Sequence, residues 1–241
     1  MESAAVSVLK RAVEMDKKEQ YTMALVLYQE GVQILLDAVK ETKEAFKVEY
    51  LTTKAREYLD RAEKVKKLIS TRKLAGIYTE MIKIEDGSMG YGYASVFGRF
   101  LDGTVTSIDI EDPYIRVFHQ CQNLVRLCEL AVQKCCALSK ISLLTTYNKE
   151  AGQVSRLAEL KESLASRNIS FHFSFSETLH DRQITLSNGW VIKIGRGLDY
   201  FKTPEGKFVL GSCDLELRPC QETTVHILHQ NNLIVDGGPS K

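Results

Sequence analysis

The 241-residue sequence has little of what several large protein classes require. Its 32 Lys and Arg residues nearly balance its 31 Asp and Glu residues, so the net charge creates no electrostatic field that would attract nucleic acid. We therefore expect no nucleic-acid partner. No apolar run approaches the roughly 20 residues of a membrane span. The first residues lack the pattern of a secretory signal, and no lipidation motif is present. We therefore expect a cytoplasmic protein whose anion-binding sites, if any, are local patches.

Signatures of metal and cofactor sites are missing as well. None of the six cysteines lies in a Cys-x-x-Cys pair, so we predict no metal site and no cofactor. Cys121, Cys128 and Cys135 recur every seven residues, which places them on one face of a helix. We interpret them as buried, reduced thiols. His226 and His229 have a metal-ligand spacing only if they lie on a helix, and their surroundings predict a strand.

Nucleotide-binding and hydrolase motifs are equally scarce. Gly87, Gly90 and Gly92 match no dinucleotide or nucleotide fingerprint, and they follow the acidic pair Glu85-Asp86, which would repel phosphate. This spacing indicates a turn. No Gly-x-Ser-x-Gly nucleophile motif occurs in the sequence.

Residues 1–72 contain no proline and a single glycine, Gly31, which favours continuous helices. Apolar residues recur there at three- and four-residue steps, and the connections are short. We predict a three-helix bundle over residues 1–72, a linker over residues 73–80, and a second domain over residues 81–241. The predicted helices are Ser3–Met15, Gln20–Glu41 and Phe46–Ile69.

More apolar residues are present than the core of such a bundle needs. Helix two has a second apolar stripe that includes Val32 and Leu36. In helix three, Leu59 lies on a polar stripe between Arg56 and Glu63. An apolar side chain framed by charges is typical of an anchor for an incoming helix. The alternative is that Leu59 only completes the bundle core, and the pattern does not decide between them.

From Tyr78 onward, glycine turns separate strands from helices, which predicts an α/β layer with a mixed, largely parallel sheet and added hairpins. Asn188-Gly189 between two apolar runs predicts a hairpin. The predicted strands are Tyr78–Glu85, Thr104–Ile110, Ile141–Thr146, Ile169–Ser176, Gln183–Leu186, Trp190–Ile194, Phe208–Leu217 and Val225–Leu228. The predicted helices are Arg116–Ala137 and Gly152–Arg167.

The segment that begins at His180 resembles the phospholipase D signature, in which a histidine is followed by a lysine two residues later and an aspartate five beyond that. The histidine attacks phosphorus, and a second copy supplies the histidine that protonates the leaving oxygen. Here Arg182 replaces the lysine, Ser187 replaces the aspartate, and one copy occurs. We therefore interpret His180 and Arg182 as a degenerate motif without a catalytic residue. The alternative is a phosphodiesterase that acts on lipid or nucleic acid as a homodimer, through two copies of His180.

Four cations cluster on the hairpin and the corner that follows it, namely Arg182, Lys193, Arg196 and Lys202. Arginine binds phosphate in a bidentate manner, and backbone N–H groups at a glycine corner add donors. We predict that these residues bind anionic lipid. The alternative is a solvated surface whose charges are neutralised by nearby Asp and Glu residues.

Two resemblances cover nearly the whole chain. The first 70 residues resemble a microtubule-interacting and trafficking (MIT) domain, and the rest resembles the phospholipase-D-like C-terminal domain of the MIT domain-containing protein 1 family. The first is carried by Ala24-Leu25-x-Leu27-Tyr28-x-x-Gly31-Val32 and Tyr58-Leu59-Asp60-Arg61-Ala62-Glu63-Lys64. The second is carried by Ile110–Arg116, His180–Arg182, Asn188–Lys202 and Leu217–Thr224. Many MIT domains have alanine at the position of Gly31.

The resemblance implies an adaptor of the ESCRT machinery that acts in cytokinetic abscission. Its bundle would bind the helical C-terminal tails of ESCRT-III subunits between helices two and three. Its C-terminal domain would dimerise, lack phospholipase activity and bind acidic phospholipid membranes, including phosphoinositides. The implied locations are the late endosome membrane and the midbody. The tail-binding residues would be Val32, Leu36, Arg56, Leu59, Asp60 and Glu63.

Overall fold

The computed structural model describes residues 2–149, 152–206 and 208–230. The chain forms two compact units, the first ending at Glu80 and the second beginning at Met81. The last residues of the predicted second domain, 231–241, lie outside the described part of the chain.

Three helices form the first unit, as predicted. They are α1 (Glu2–Lys17), α2 (Tyr21–Glu41) and α3 (Ala45–Leu74). Helix α3 extends about one turn beyond the predicted Ile69. Arg72 and Lys73 lie in its final turn, where positive side chains interact favourably with the negative end of the helix dipole.

Close packing of α1 on α2 explains the glycine within the bundle. A Cβ atom on Gly31 would lie 2.5 Å from Cδ2 of Leu9, a side chain that is itself buried. A glycine in a helix costs about 1 kcal/mol relative to alanine, but here it admits the side chain of the neighbouring helix. The apolar stripes predicted to form the core are buried at Ala24, Tyr28, Gly31, Leu35 and Ala38 of α2 and at Leu51, Ala55, Ala62, Val65 and Ile69 of α3, whereas Tyr58, predicted as part of the second stripe, is half-buried.

A buried carboxylate joins the three helices. Asp16, near the end of α1, accepts a hydrogen bond of 2.9 Å from the Tyr28 hydroxyl of α2. It also accepts two hydrogen bonds, of 2.6 and 2.7 Å, from the guanidinium of Arg61 on α3. Bidentate pairing of this kind fixes geometry as well as charge. The Arg61 guanidinium, helped by the Tyr28 hydroxyl, holds the pKa of Asp16 below its usual value.

The second unit is an α/β layer. Its strands are β1 (Thr79–Ile84), β2 (Ser107–Glu111), β3 (Lys140–Thr145), β4 (Ser170–Phe175), β5 (Gln183–Leu186), β6 (Trp190–Ile194) and β7 (Thr223–His229). Its helices are α4 (Tyr93–Phe97), α5 (Phe118–Lys134) and α6 (Gln153–Ala165). The first two residues of β1 fall within the first unit.

The sheet is mixed, as predicted, but it is not largely parallel. Its strand order is β1-β7-β6-β5-β2-β3-β4. Helices α5 and α6 connect β2, β3 and β4, which pair in parallel. The antiparallel pairs are β2 with β5, β5 with β6 and β6 with β7. The hairpin predicted across Asn188-Gly189 is confirmed, and Gly189 there has a φ of +91°.

The strand predicted over Phe208–Leu217 is wrong. Residues 208–213 form turns and bends, and Leu215–Leu217 form a short 3₁₀ helix. Helix α4 was not predicted from the sequence. Its first turn is capped from far along the chain by the Glu216 carboxylate, which accepts hydrogen bonds from the Gly92 and Ser95 N–H groups.

A sharp corner follows β6 and carries residues of the predicted anion site. We call residues Gly195–Leu198 the glycine corner. Gly197 has a φ of +65°, and a Cβ atom there would lie 2.1 Å from Oδ2 of Asp112. The same oxygen accepts a hydrogen bond of 2.8 Å from the Leu198 N–H group. Only glycine satisfies both the left-handed backbone and the close approach of the carboxylate.

The three cysteines predicted to be buried are buried and free, but only Cys121 and Cys128 lie on α5, because the helix ends at Lys134, directly before Cys135. Burial raises the pKa of the Cys128 thiol to about 12, which makes it an unreactive thiol at neutral pH.

In the described part of the chain, no helix is both long and apolar enough to cross a bilayer.

The Asp16 cluster makes a testable contribution to stability. We expect Asp16→Asn to lower the free energy of unfolding at pH 7 by about 1–3 kcal/mol, because it removes charge-assisted hydrogen bonds at a buried site. The folded-state pKa of Asp16 is depressed, so this contribution is present above the unfolded pKa of about 3.9 and is lost as the pH falls through the folded pKa. Urea unfolding followed by helical circular dichroism measures the difference.

Asp37→Asn is the matched control, because Asp37 pairs with Lys40 on the exposed face of α2. We expect it to change the unfolding midpoint little. Equal effects of the two substitutions, or a difference that grows in acid, would contradict this role of Asp16.

Candidate functional sites: an anion-binding cleft and an exposed helical surface

An open cleft of about 660 Å³ lies beside the glycine corner. It brings together the loop after β2, the start of β5, the glycine corner and the segment that leads into β7. Its lining residues are Tyr114, Gln120, Arg182, Gly195, Arg196, Asp199, Gln221, Glu222, Thr223 and Thr224. Two of the four predicted lipid-binding cations, Arg182 and Arg196, therefore line one cleft.

Arg182 is held in place by neutral groups. Its guanidinium donates a hydrogen bond of 2.6 Å to the Gly195 carbonyl and lies 4.7 Å from the ring centroid of Tyr114. Its Nε atom is buried and has no hydrogen-bond partner within the described residues. Because Nε is buried, an incoming acceptor would have to bind the terminal nitrogens of this guanidinium.

Tyr114 lines the cleft and Arg116 lies over its ring, and neither was predicted from the sequence as a site residue. The Arg116 guanidinium lies 5.1 Å from the Tyr114 ring centroid, so this ring lies near two cations. Tyr114 follows the carboxyl end of β2, where ligands of open α/β sheets bind. Its position after a predicted strand is the signal that the sequence offers, but a tyrosine carries no charge and its side chain alone does not indicate an anion site.

Arg196 is the more exposed of the two cleft arginines, and its Nε donates a hydrogen bond of 3.0 Å to the Glu222 carbonyl. Beneath it, the Asp112 carboxylate is buried and accepts hydrogen bonds from the N–H groups of Tyr114 and Leu198. Burial raises the pKa of Asp112, and these donors together with the Arg182 charge partly offset the effect. Asp112 therefore fixes both sides of the cleft rather than facing a ligand.

One carboxylate on the cleft wall, that of Asp199, is itself bound by neighbouring side chains. The Asn123 amide donates to it at 3.0 Å and the Gln120 amide at 3.3 Å, and Nε2 of His119 lies 3.0 Å away. The cleft thus contains charges of both signs, with Asp199 held on its α5 side and Glu222 also in its lining.

The remaining predicted cations lie outside the described lining of the cleft. Lys193 is exposed on β6, opposite Gln183 and His226 in the strand register. Lys202 pairs with Asp86, with 2.6 Å between Nζ and Oδ2. The structure therefore separates the predicted cluster into a cleft pair and two surface lysines.

His180 is exposed in the segment before β5. Ser187, at the position of the missing aspartate, forms hydrogen bonds to backbone groups. The Ser187 hydroxyl oxygen accepts hydrogen bonds from the N–H groups of Thr106 and Ser107, at 2.8 and 3.2 Å. It thus anchors the hairpin to the start of β2. Within the described ranges, no group of three or more His, Cys, Asp or Glu residues is placed to hold a metal ion.

The first unit presents a second candidate site on α2 and α3. Leu59 is 46% exposed, so it does not belong to the bundle core, and Leu36 is 40% exposed. Arg56, Asp60 and Glu63 are exposed on α3 and are the predicted charged neighbours of the anchor. Val32 is buried at 6% exposure, which corrects its prediction as a contact residue, because the bundle core already covers it.

The Tyr28 and Tyr58 rings stack at 6.1 Å and fix the register of the two helices. Leu59 therefore lies at the level of Tyr28. Leu36, eight residues further along α2, lies roughly 12 Å away along the axis. A helix that contacts both leucines needs apolar side chains about two turns apart.

Comparison with known proteins agrees with this division. Residues 2–67 match the family described as the MIT (microtubule interacting and transport) domain. Residues 90–229 match the family described as the phospholipase D-like domain at the C-terminus of MIT. The chain is 49% identical over 233 residues to mouse MIT domain-containing protein 1, covering 95% of this chain and 94% of the relative. The resemblance inferred from the sequence is confirmed, and the chain belongs to the MIT domain-containing protein 1 family.

Proposed function

We propose that this protein is a non-catalytic ESCRT-III adaptor in cytokinetic abscission. Its helical unit binds the C-terminal helical tails of ESCRT-III subunits, and its C-terminal unit dimerises and binds anionic phospholipid membranes, including phosphoinositides. The protein is peripheral on the late endosome membrane and at the midbody. The observation that carries the proposal is the cleft in which Arg182 and Arg196 are held by neutral groups and remain available to an anion.

The exposed leucines support the helical half of the proposal. Leu36 and Leu59 are apolar surfaces on two packed helices, and Asp60 and Glu63 supply negative charge beside them. An amphipathic helix with apolar anchors and basic flanking residues complements this surface. Because the apolar contacts are buried on binding, salt should weaken this step little.

The membrane half rests on local positive charge. Cations near an anionic bilayer contribute about 1 kcal/mol each, and the interaction is screened by salt. Dimerisation places two such clefts and two helical surfaces in one particle, so weak single affinities combine into useful avidity.

We also propose that this protein does not cleave phosphodiesters. Phosphodiester cleavage in the phospholipase D manner needs a histidine nucleophile, a cation, a carboxylate and a second histidine. In this chain the carboxylate position is Ser187, whose hydroxyl is engaged by backbone N–H groups at the start of β2. The competing function is a phosphodiesterase that forms across a homodimer through His180.

Leu59→Asp tests the helical surface. We expect it to abolish binding of ESCRT-III tail peptides, measured by fluorescence polarisation, because it places a charge at the apolar anchor. The helical circular dichroism signal should persist, because Leu59 is exposed. Val6→Asp is the matched control on an exposed position of α1. Equal loss of binding in both variants would contradict a site on α2 and α3.

Arg182→Gln with Arg196→Gln tests the cleft. At about 1 kcal/mol for each lost charge, we expect roughly tenfold or greater weakening of flotation with anionic vesicles. Lys140→Gln with Lys161→Gln removes the same charge from exposed positions outside the cleft and should have a smaller effect. Tail binding should be unchanged in both variants. Equal weakening would mean that net charge, not the cleft, attracts the membrane.

Turnover of a chromogenic phosphodiester tests the competing enzyme. We expect no hydrolysis above the uncatalysed rate by the full-length protein. Hydrolysis that disappears in His180→Ala, or a phosphorylated histidine trapped at this position and detected by mass spectrometry, would establish the phosphodiesterase instead.

A further inference from the structure

Three consecutive apolar side chains project from a loop in the second unit. Phe208 is 101% exposed, Val209 44% and Leu210 87%. We call residues Phe208–Leu210 the apolar tip. Single exposed apolar residues are ordinary on protein surfaces, but three in succession at a loop end indicate a surface made for contact.

The chain holds this tip in a defined turn. The Ser212 N–H group donates to the Val209 carbonyl at 3.1 Å, and Gly211 adopts a φ of +82°. This is the arrangement of a turn that needs glycine at its third position. A Cβ atom on Gly211 would lie 2.8 Å from the Leu217 carbonyl oxygen.

A buried arginine holds the base of the same loop. The guanidinium of Arg218, 8% exposed, donates to the carbonyl of Gly211 at 2.5 Å and to that of Ser212. The Ser212 hydroxyl donates to the Gly206 carbonyl at 3.0 Å. Burying a charged group in order to bind loop carbonyls is costly, so this segment is built to hold a shape.

Neighbouring segments add apolar surface and link the loop to the cleft. Met89 and Leu217 are 60% and 47% exposed, and the backbones of their segments are joined where the Gly90 N–H group donates to the Glu216 carbonyl. The loop leaves and rejoins the fold through a bridge between Phe201 and Cys220. The residues directly after that bridge, Gln221–Thr224, line the arginine cleft.

We infer that the apolar tip inserts into the lipid bilayer as an anchor when the cleft engages anionic headgroups. This inference rests on the proposed membrane binding and specifies its mode. Phe208 and Leu210 are almost fully exposed, and three side chains offer far less area than the roughly 800 Å² that each partner contributes to a stable protein interface. A small exposed apolar tip on a base held by Arg218 instead fits the boundary between headgroups and acyl chains.

Replacement of the tip without a change of charge tests the inference. Phe208→Ser with Leu210→Ser in the full-length protein should weaken binding to anionic phosphatidylserine vesicles at least about tenfold. Phe118→Ser with Val154→Ser is the matched control, because both residues are exposed and apolar and lie elsewhere in the same unit. The control should bind as the unaltered protein does.

The dependence of vesicle binding on ionic strength distinguishes the contribution of the apolar tip from that of the cleft. Apolar insertion is not screened, so the unaltered protein should retain part of its vesicle binding at high ionic strength. The tip variant should lose this residual binding, whereas loss of the cleft arginines should mainly reduce binding at low salt.

The depth of insertion of the apolar tip is measured by the quenching of tryptophan fluorescence in Phe208→Trp, with vesicles whose acyl chains are brominated. The natural Trp190 is buried and provides the background signal, measured in the unaltered protein. We expect quenching of the introduced tryptophan only with vesicles that contain anionic lipid, and no added quenching for Val154→Trp.

The outcomes distinguish the inference from the function on which it depends. Absence of vesicle binding by the unaltered protein would overturn both. Normal binding by the tip variant, without quenching of Trp at position 208, would overturn insertion and leave headgroup binding intact. A change of self-association with unaltered vesicle binding would identify the tip as a protein contact and would also overturn insertion.

Discussion

The C-terminal unit depends on one buried carboxylate, that of Asp112. It is 2% exposed and binds the N–H groups of Tyr114 and Leu198, which belong to the two opposite sides of the cleft. An unpaired buried charge is costly, so the backbone must supply these donors wherever the carboxylate lies. Gly197 is the residue that permits this approach. The position of the cleft is thus fixed by a buried side chain that is not part of the cleft lining.

The hydrogen bonds that position the two cleft arginines go to backbone carbonyls and not to the carboxylates of Asp199 and Glu222, which also line the cleft. Arg182 and Arg196 are held by backbone carbonyls and an aromatic ring, whereas Asp199 is held by amides and lies near His119. Arginines that are positioned by neutral groups lose little of their attraction for an anion, and their ordering does not have to occur on binding. This favours recognition of a phosphate-bearing surface without any need for a nucleophile.

The sequence predicted the local parts of this fold well, because helical periodicity and the Asn188-Gly189 turn are local signals. It did not reveal α4, whose cap is Glu216, more than a hundred residues away. It placed a strand over Phe208–Leu217 because apolar residues there resemble a strand, although Arg218 folds the segment into turns. Strand direction was also misjudged, since alternating burial does not indicate which neighbour a strand pairs with. In the candidate site, cations were recognised from their charge, but their grouping depended on the corner at Gly197.

The two contacts proposed for the membrane select for different properties of a bilayer. The cleft responds to negative charge and weakens with salt, whereas the apolar tip responds to how readily side chains enter between lipids. Neither a pair of arginines nor three exposed apolar residues suffices for stable attachment, because peripheral proteins generally need two signals. A protein that combines them on one rigid unit, and repeats them by dimerisation, would bind only where charge and loose lipid packing coincide. In the proposed function, the helical surface around Leu59 would add a protein signal to the lipid signals and would confine attachment to membranes where its helical partner is assembled.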